Sequence, residues 1–198
     1  MKTSILAFAI SVSALLGIHQ STSAADHSRD EITTLTTISN INKIEVHGNV
    51  ELYLSDGMTD QVKVYNKYYS ENAVVKSQNG VLTISSYKAQ KLVVWITVTN
   101  LADLSVYDNA QVKSFGKLSP LNLDVKMYDN ASAQLNVDAY AVSLKFNAHA
   151  KADIEGTIAE AEQNYDRSSS LNTTNLYSDH LVKKLNRADA EMASIVEL

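Results

Sequence analysis

Apolar and polar residues alternate along most of this chain from Asn42 onward. Ile44, Val46, Val50, Leu52 and Leu54 occupy one parity, and Lys43, Glu45, His47 and Glu51 the other. A period of two is the mark of half-buried strands, and Gly48-Asn49 and Asp56-Gly57 break it as a bend and a turn. The alternation returns from Gln61 to Lys67. Asn79-Gly80, between two short β-type runs, is a strong hairpin signal. Leu92–Thr99 (LVVWITVT) is more continuously apolar and predicts an inner strand. No helical period emerges in this half.

The second half is more regular. From Leu121 to Ala139 the odd positions are mostly apolar or small and the even positions polar. A single straight strand of that length is improbable, because strands average about 5–6 residues. Several short strands joined by corners are expected instead. At Ala139-Tyr140 the parity shifts, and Tyr140, Val142, Leu144, Phe146, Ala148, Ala150, Ala152 and Ile154 continue the inward row. The Ala- and Glu-rich run 157–163 offers a helical alternative, which the repeat described next overrides.

VYDNAQV, MYDNASA, FNAHAKA, YDRSSSL and LNRADAE align without gaps. They begin at Val106, Met127, Phe146, Tyr165 and Leu185, at intervals of 21, 19, 19 and 20 residues. Each unit opens on a bulky residue, and four places later comes a small one: Ala110, Ala131, Ala150 and Ser169, with Asp189 departing. Strand-type alternation on an interval near 20 predicts a solenoid whose equivalent residues stack at about 4.8 Å. One coil cannot bury its inward row, whereas stacked coils turn each row into an apolar ladder. Asn and Asp suit the corners, since their side chains satisfy local backbone groups and tolerate left-handed backbone.

Composition narrows the field. The 198 residues, 45% apolar and 20% charged, leave room for one domain with a real core. A net charge of −5 without a Lys/Arg block argues against a nucleic-acid partner. The absence of cysteine excludes a disulfide framework, a thiol nucleophile and a Cys-ligated metal. Residues 1–25 have the form of a signal peptide: Lys2, an apolar run from Ile5 to Ile18, then small residues before Asp26. That run is shorter than the roughly 20 residues of a membrane helix, so no span is expected after cleavage. Residues 26–40 are polar and Thr-rich and are expected to be a flexible lead-in, with a single domain over 41–198.

The opening NKIEVHGNVELYLSDG (42–57), the central WITVTNLADLSVYDNAQV (95–112) and the downstream corners resemble the head GIN domain family of auto-transporter adhesins. The resemblance spans about residues 40–195. Where that family repeats Gly-Ser-Gly-Asp-like corners, this chain carries Asp-Asn-Ala, Asn-Ala-His, Asp-Arg-Ser and Asn-Arg-Ala. The resemblance implies an all-β, right-handed parallel β-helix-like fold with hairpin-rich N-terminal strands. It also implies a protein exported to the periplasm or cell surface of a Gram-negative bacterium, and it implies no established reaction.

The candidate site lies on the corners. Asp108 and Asp129 hold the same place on successive coils, where paired carboxylates could serve glycosidic chemistry or Ca²⁺. Ala148 and Arg167 break the row, two carboxylates fall short of the 6–8 oxygens Ca²⁺ takes, and corner capping is the expected role. Tyr107 and Tyr128 point outward on neighbouring coils and would offer a shelf to a glycan. Tyr65, Tyr68, Tyr69 and Tyr87 form a second aromatic group. His27, His47, His149 and His180 are scattered, Ser168-Ser169-Ser170 is no nucleophile elbow, and Lys183, Lys184 and Arg187 read as solvated surface. The expectation is a non-enzymatic cell-envelope protein that binds a glycan or an envelope protein through Tyr107, Tyr128, Asp108 and Asp129. No catalytic residue, metal or cofactor is expected. The alternatives are a polysaccharide-acting β-helix enzyme using Asp108 and Asp129, or a structural module packing through its last coil.

Overall fold

The computed structural model describes residues 32–35, 38–65 and 73–185. The expected signal segment, Tyr68, Tyr69, Arg187 and the corner beyond Leu185 lie outside the described residues. Fourteen strands and no helix form among those described. They are β1 (Ile32–Leu35), β2 (Lys43–Gly48), β3 (Val50–Asp56), β4 (Gln61–Tyr65), β5 (Val74–Gln78), β6 (Val81–Ser86) and β7 (Leu92–Val98). Then follow β8 (Asp103–Val106), β9 (Gln111–Ser114), β10 (Asn122–Met127), β11 (Ser132–Phe146), β12 (Lys151–Tyr165), β13 (Ser170–Asn172) and β14 (Leu176–Leu185).

All belong to one strongly curled open sheet. One parallel ladder runs β6, β2, β8, β10, then the C-terminal parts of β11, β12 and β14. The other runs β7, β3, β9, then the N-terminal parts of β11 and β12, and β13. The 15-residue strands β11 and β12 pass from one ladder into the other. Their inward residues meet in a single core, with Ile44, Leu52, Leu104, Leu135, Phe146 and Ile154 almost wholly buried.

The repeat is the register of this stack. Val106 pairs with Met127, Met127 with Phe146, Phe146 with Tyr165, and Tyr165 with Leu185. The small row Ala110, Ala131 and Ala150 is fully buried at the corner, where a larger side chain has no room. The parity shift at Ala139-Tyr140 coincides with a gap in the β11–β12 pairing, whose register is the same on both sides; Tyr140 has no strand partner there and turns out to solvent, 54% exposed. Tyr140 therefore leaves the inward row expected for it. The run 157–163 is strand, inside β12.

The sheet as a whole is all-β but mixed, which does not confirm the right-handed parallel β-helix expected of it. Such a helix adds each coil beside the previous one in sequence, and here β2 lies between β6 and β8, and β3 between β7 and β9. Three pairings are antiparallel, namely β1–β4, β4–β7 and β5–β6. The turns cause this reversal. Asn79 and Gly80 adopt φ of 52° and 79°, the two positive values a tight hairpin demands, and fold β5 back along β6. These antiparallel strands cover edges that the parallel stack would leave bare. Residues 32–35, inside the expected lead-in, form β1 on β4, with Leu35 against the core. That four-residue strand is too short to announce a period.

Candidate functional site

The corner after the bulky row is where the candidate residues gather. Backbone φ is positive at Gly48, Asp108, Asp129 and Ala148, one per layer, so four layers turn alike. The residue just before each turn projects outward. The rings of His47 and Tyr107 lie 4.4 Å apart and those of Tyr107 and Tyr128 4.8 Å, both pairs within 3° of parallel. A strand spacing of about 4.8 Å is a comfortable separation for stacked rings. The structure thus brings Tyr107 and Tyr128 together and adds His47, which the repeat alignment does not include.

The carboxylates face the chain itself. Asp108 Oδ2 accepts the Gly48 N–H at 2.9 Å and the Tyr87 hydroxyl at 3.2 Å. Asp129 Oδ2 accepts the Asp108 N–H at 3.2 Å. Each Asp caps the corner of the preceding layer, where the left-handed turn frees an N–H. Among the described residues no group of three or more His, Cys, Asp or Glu could hold a metal ion.

Asp166 continues the device one place earlier in its unit. Its Oδ2 accepts the Ala148 N–H at 2.6 Å, and its Oδ1 accepts N–H groups from Ser168 and Ser169. Burial alone would raise this carboxyl, but the Ala148 and Ser169 N–H groups and the serine hydroxyls outweigh it and hold the acid below its usual range. A depressed carboxyl stabilises the fold above its unfolded pKa, and that contribution is lost as pH falls through the folded value. Asp166→Asn should therefore flatten the acid limb of a stability-versus-pH curve, with wild type and variant converging at the lowest pH. Urea melts across the acid range check this.

The stacked rings cover one another's faces. The ridge therefore presents ring edges, phenol hydroxyls and the carboxamides of Asn109 and Asn130, which themselves approach to 3.4 Å. The shelf expected of Tyr107 and Tyr128 is thus edge-on where the rings meet, because outward side chains one rung apart align their ring planes across the strands.

A second aromatic group was not legible as such. On the outer face of β7, β3 and β9, Tyr53 and Trp95 stack at 4.6 Å, and Phe115 and Tyr65 tilt against Trp95 at 5.3 and 6.4 Å. Lys113 Nζ sits over the Tyr53 ring and 2.8 Å from Glu51, to which Lys91 also pairs at 3.5 Å. Lys113 foremost, with help from the Tyr53 hydroxyl, holds Glu51 below the usual carboxylate range despite burial. Of the four tyrosines expected to cluster, Tyr65 belongs here and Tyr87 to the corner. Trp95 escaped notice because its strand reads as apolar throughout, although Val93, Trp95 and Thr97 face outward. The alternation Leu92, Val94, Ile96, Val98 was the available signal.

Residues 40–191 match the family described as "Putative auto-transporter adhesin, head GIN domain". No curated protein matches the chain. A crystal structure from Parabacteroides distasonis, described as a "Putative lipid binding protein", superposes with a TM-score of 0.62 at 11% identity, covering 78% of each chain. A "putative adhesin" from the same species gives 0.58 at 16% identity and 79% of each chain. Another from Parabacteroides merdae gives 0.56 at 14% identity, over 78% of this chain and 77% of that one. At these identities the likeness is one of fold.

Proposed function

The chain belongs to the head GIN domain family of auto-transporter adhesins, and from that we propose an exported, non-enzymatic binding module of the cell envelope. Its corner ridge, His47, Tyr107 and Tyr128 with Asp108 and Asp129, would meet a glycan on the cell exterior or within the envelope. The observation that carries this reading is the locked geometry of the ridge. Three rings held parallel by the strand spacing, with carboxylates capping backbone N–H groups, keep their hydroxyls and carboxamides in place at almost no entropic cost on binding. Repetition along the stack lets weak contacts add. The same capping argues against Asp108 and Asp129 as a catalytic pair, since each spends a lone pair on the fold. Among the described residues no helix is long and apolar enough to cross a membrane.

The mature chain from Asp26, applied to a glycan array, should bind a defined subset of glycans. The double variant Tyr107→Ala/Tyr128→Ala should lose at least about tenfold in affinity, roughly 1.4 kcal/mol, for those glycans that the ridge contacts, while still melting cooperatively. Binding undiminished in the double variant for every glycan of the subset would remove the ridge as a contact surface. Glycan-array silence together with capture on one purified envelope protein would move the partner to that class. Release of reducing sugar from a polysaccharide panel, abolished by Asp108→Asn, would replace this reading with the enzymatic one.

A further inference from the structure

The outer face of the other ladder carries a feature the corner ridge does not use. Across the strands the outward row reads Lys63, Trp95, Tyr53, Lys113, Gln134 and Asp153. After Lys63, the rings of Trp95 and Tyr53 fill its first half and hydrogen-bonding groups its second. Phe115 stands at the junction, 64% exposed. Its neighbours Ser114 and Gly116 line a cleft of about 320 Å³ that continues over Gln134, Asn136, Asp153 and Glu155. That volume is at the lower end of small-ligand sites, about 300–1,000 Å³.

We propose that this face binds a neutral glycan, with Phe115 against the C–H face of a sugar ring and the cleft receiving its hydroxyls. The ligand chemistry follows from three observations. An exposed phenyl ring braced by Trp95 offers an apolar surface with little conformational freedom to lose. The cleft supplies both acceptors and donors, as hydroxyl groups require. Asn136 Nδ2 donates to Glu155 at 2.9 Å, and Asn172 Nδ2, from the adjacent strand, to Asp153 at 3.1 Å. Each amide keeps a second N–H, and each carboxylate a second oxygen, for the hydroxyls of a sugar. Charge decides against an acidic sugar, because the ionisable groups lining the cleft are carboxylates, and Lys91 and Lys113 are paired with Glu51.

Trp95 is the chain's single tryptophan and lies beside Phe115, so it reports on this face. The experiment is a fluorescence titration of the mature chain with a panel of neutral oligosaccharides and a matched panel of uronate oligosaccharides. A saturable change of Trp95 emission with a neutral oligosaccharide is expected. It should weaken at least tenfold in Phe115→Ala and in Asp153→Asn, whose side chains are exposed and dispensable to the core. It should persist in Tyr107→Ala/Tyr128→Ala, which separates this site from the ridge. Silence across the neutral panel, a response confined to the uronates, or undiminished binding by Phe115→Ala would overturn the proposal.

Discussion

Phe146→Ala should lower the free energy of unfolding by about 3–5 kcal/mol, the range for emptying a fully buried aromatic site. Phe146 has no exposed surface and sits in the inward row between Met127 and Tyr165. Truncation removes the ring's transfer free energy and leaves a cavity that neighbouring rungs cannot close, because their backbones are tied at strand spacing on both sides. Tyr128, one rung away on the outward row, is half-exposed and stacked on Tyr107. Its loss should cost about 1 kcal/mol, the worth of one aromatic pair. Urea denaturation of the two variants under one set of conditions makes the test. Equal costs would show that the inward and outward rows have been misassigned.

The contrast between those residues is legible in the sequence, because inside and outside are set by parity in a strand and by interval in a stack. The 19–21-residue spacing of the bulky residues survives as their pairing register. What was not readable is the order of layers. Nothing local in Lys43–Asp56 says that β2 and β3 will lie between β6–β7 and β8–β9, since that placement depends on pairings about 40 to 60 residues away. The antiparallel strands at the N-terminal side follow from turns whose type was legible and whose global consequence was not.

The candidate site divides in the same way. That Tyr107 and Tyr128 would be neighbours followed from the repeat, and so did the corner role of Asp108 and Asp129. That the rings would bury their faces in one another is a matter of side-chain rotation, which spacing does not encode. His47 joins the stack through a layer outside the repeat. The aromatic face around Trp95 assembles residues from β3, β4, β7 and the end of β9, and their only common sign was outward parity.

Gly156→Ala should be as damaging as the loss of Phe146, for a reason that owes nothing to hydrophobic burial. Gly156 lies in mid-strand with φ of 118°, where β12 crosses from one ladder to the other. An L side chain is strained there, at a cost of about 1–3 kcal/mol. A Cβ at this position would also stand 2.0 Å from the Val137 carbonyl oxygen and 2.9 Å from its carbon. That oxygen is main chain of the adjacent strand, whose side chain is buried and whose Leu118 bridge holds it from the other side, so it cannot withdraw without opening the ladder. Strain and displacement together should reach roughly 3 kcal/mol or more, at the severe end for a single methyl group. Gly116→Ala is the control, with a φ that is also positive, 81°, and nothing within 4 Å of the added carbon. It should show the strain alone, about 1–3 kcal/mol. If thermal unfolding finds the two alanine variants equally stable, the Val137 backbone yields, and the crossing in β12 is softer than its close pairing with β11 implies.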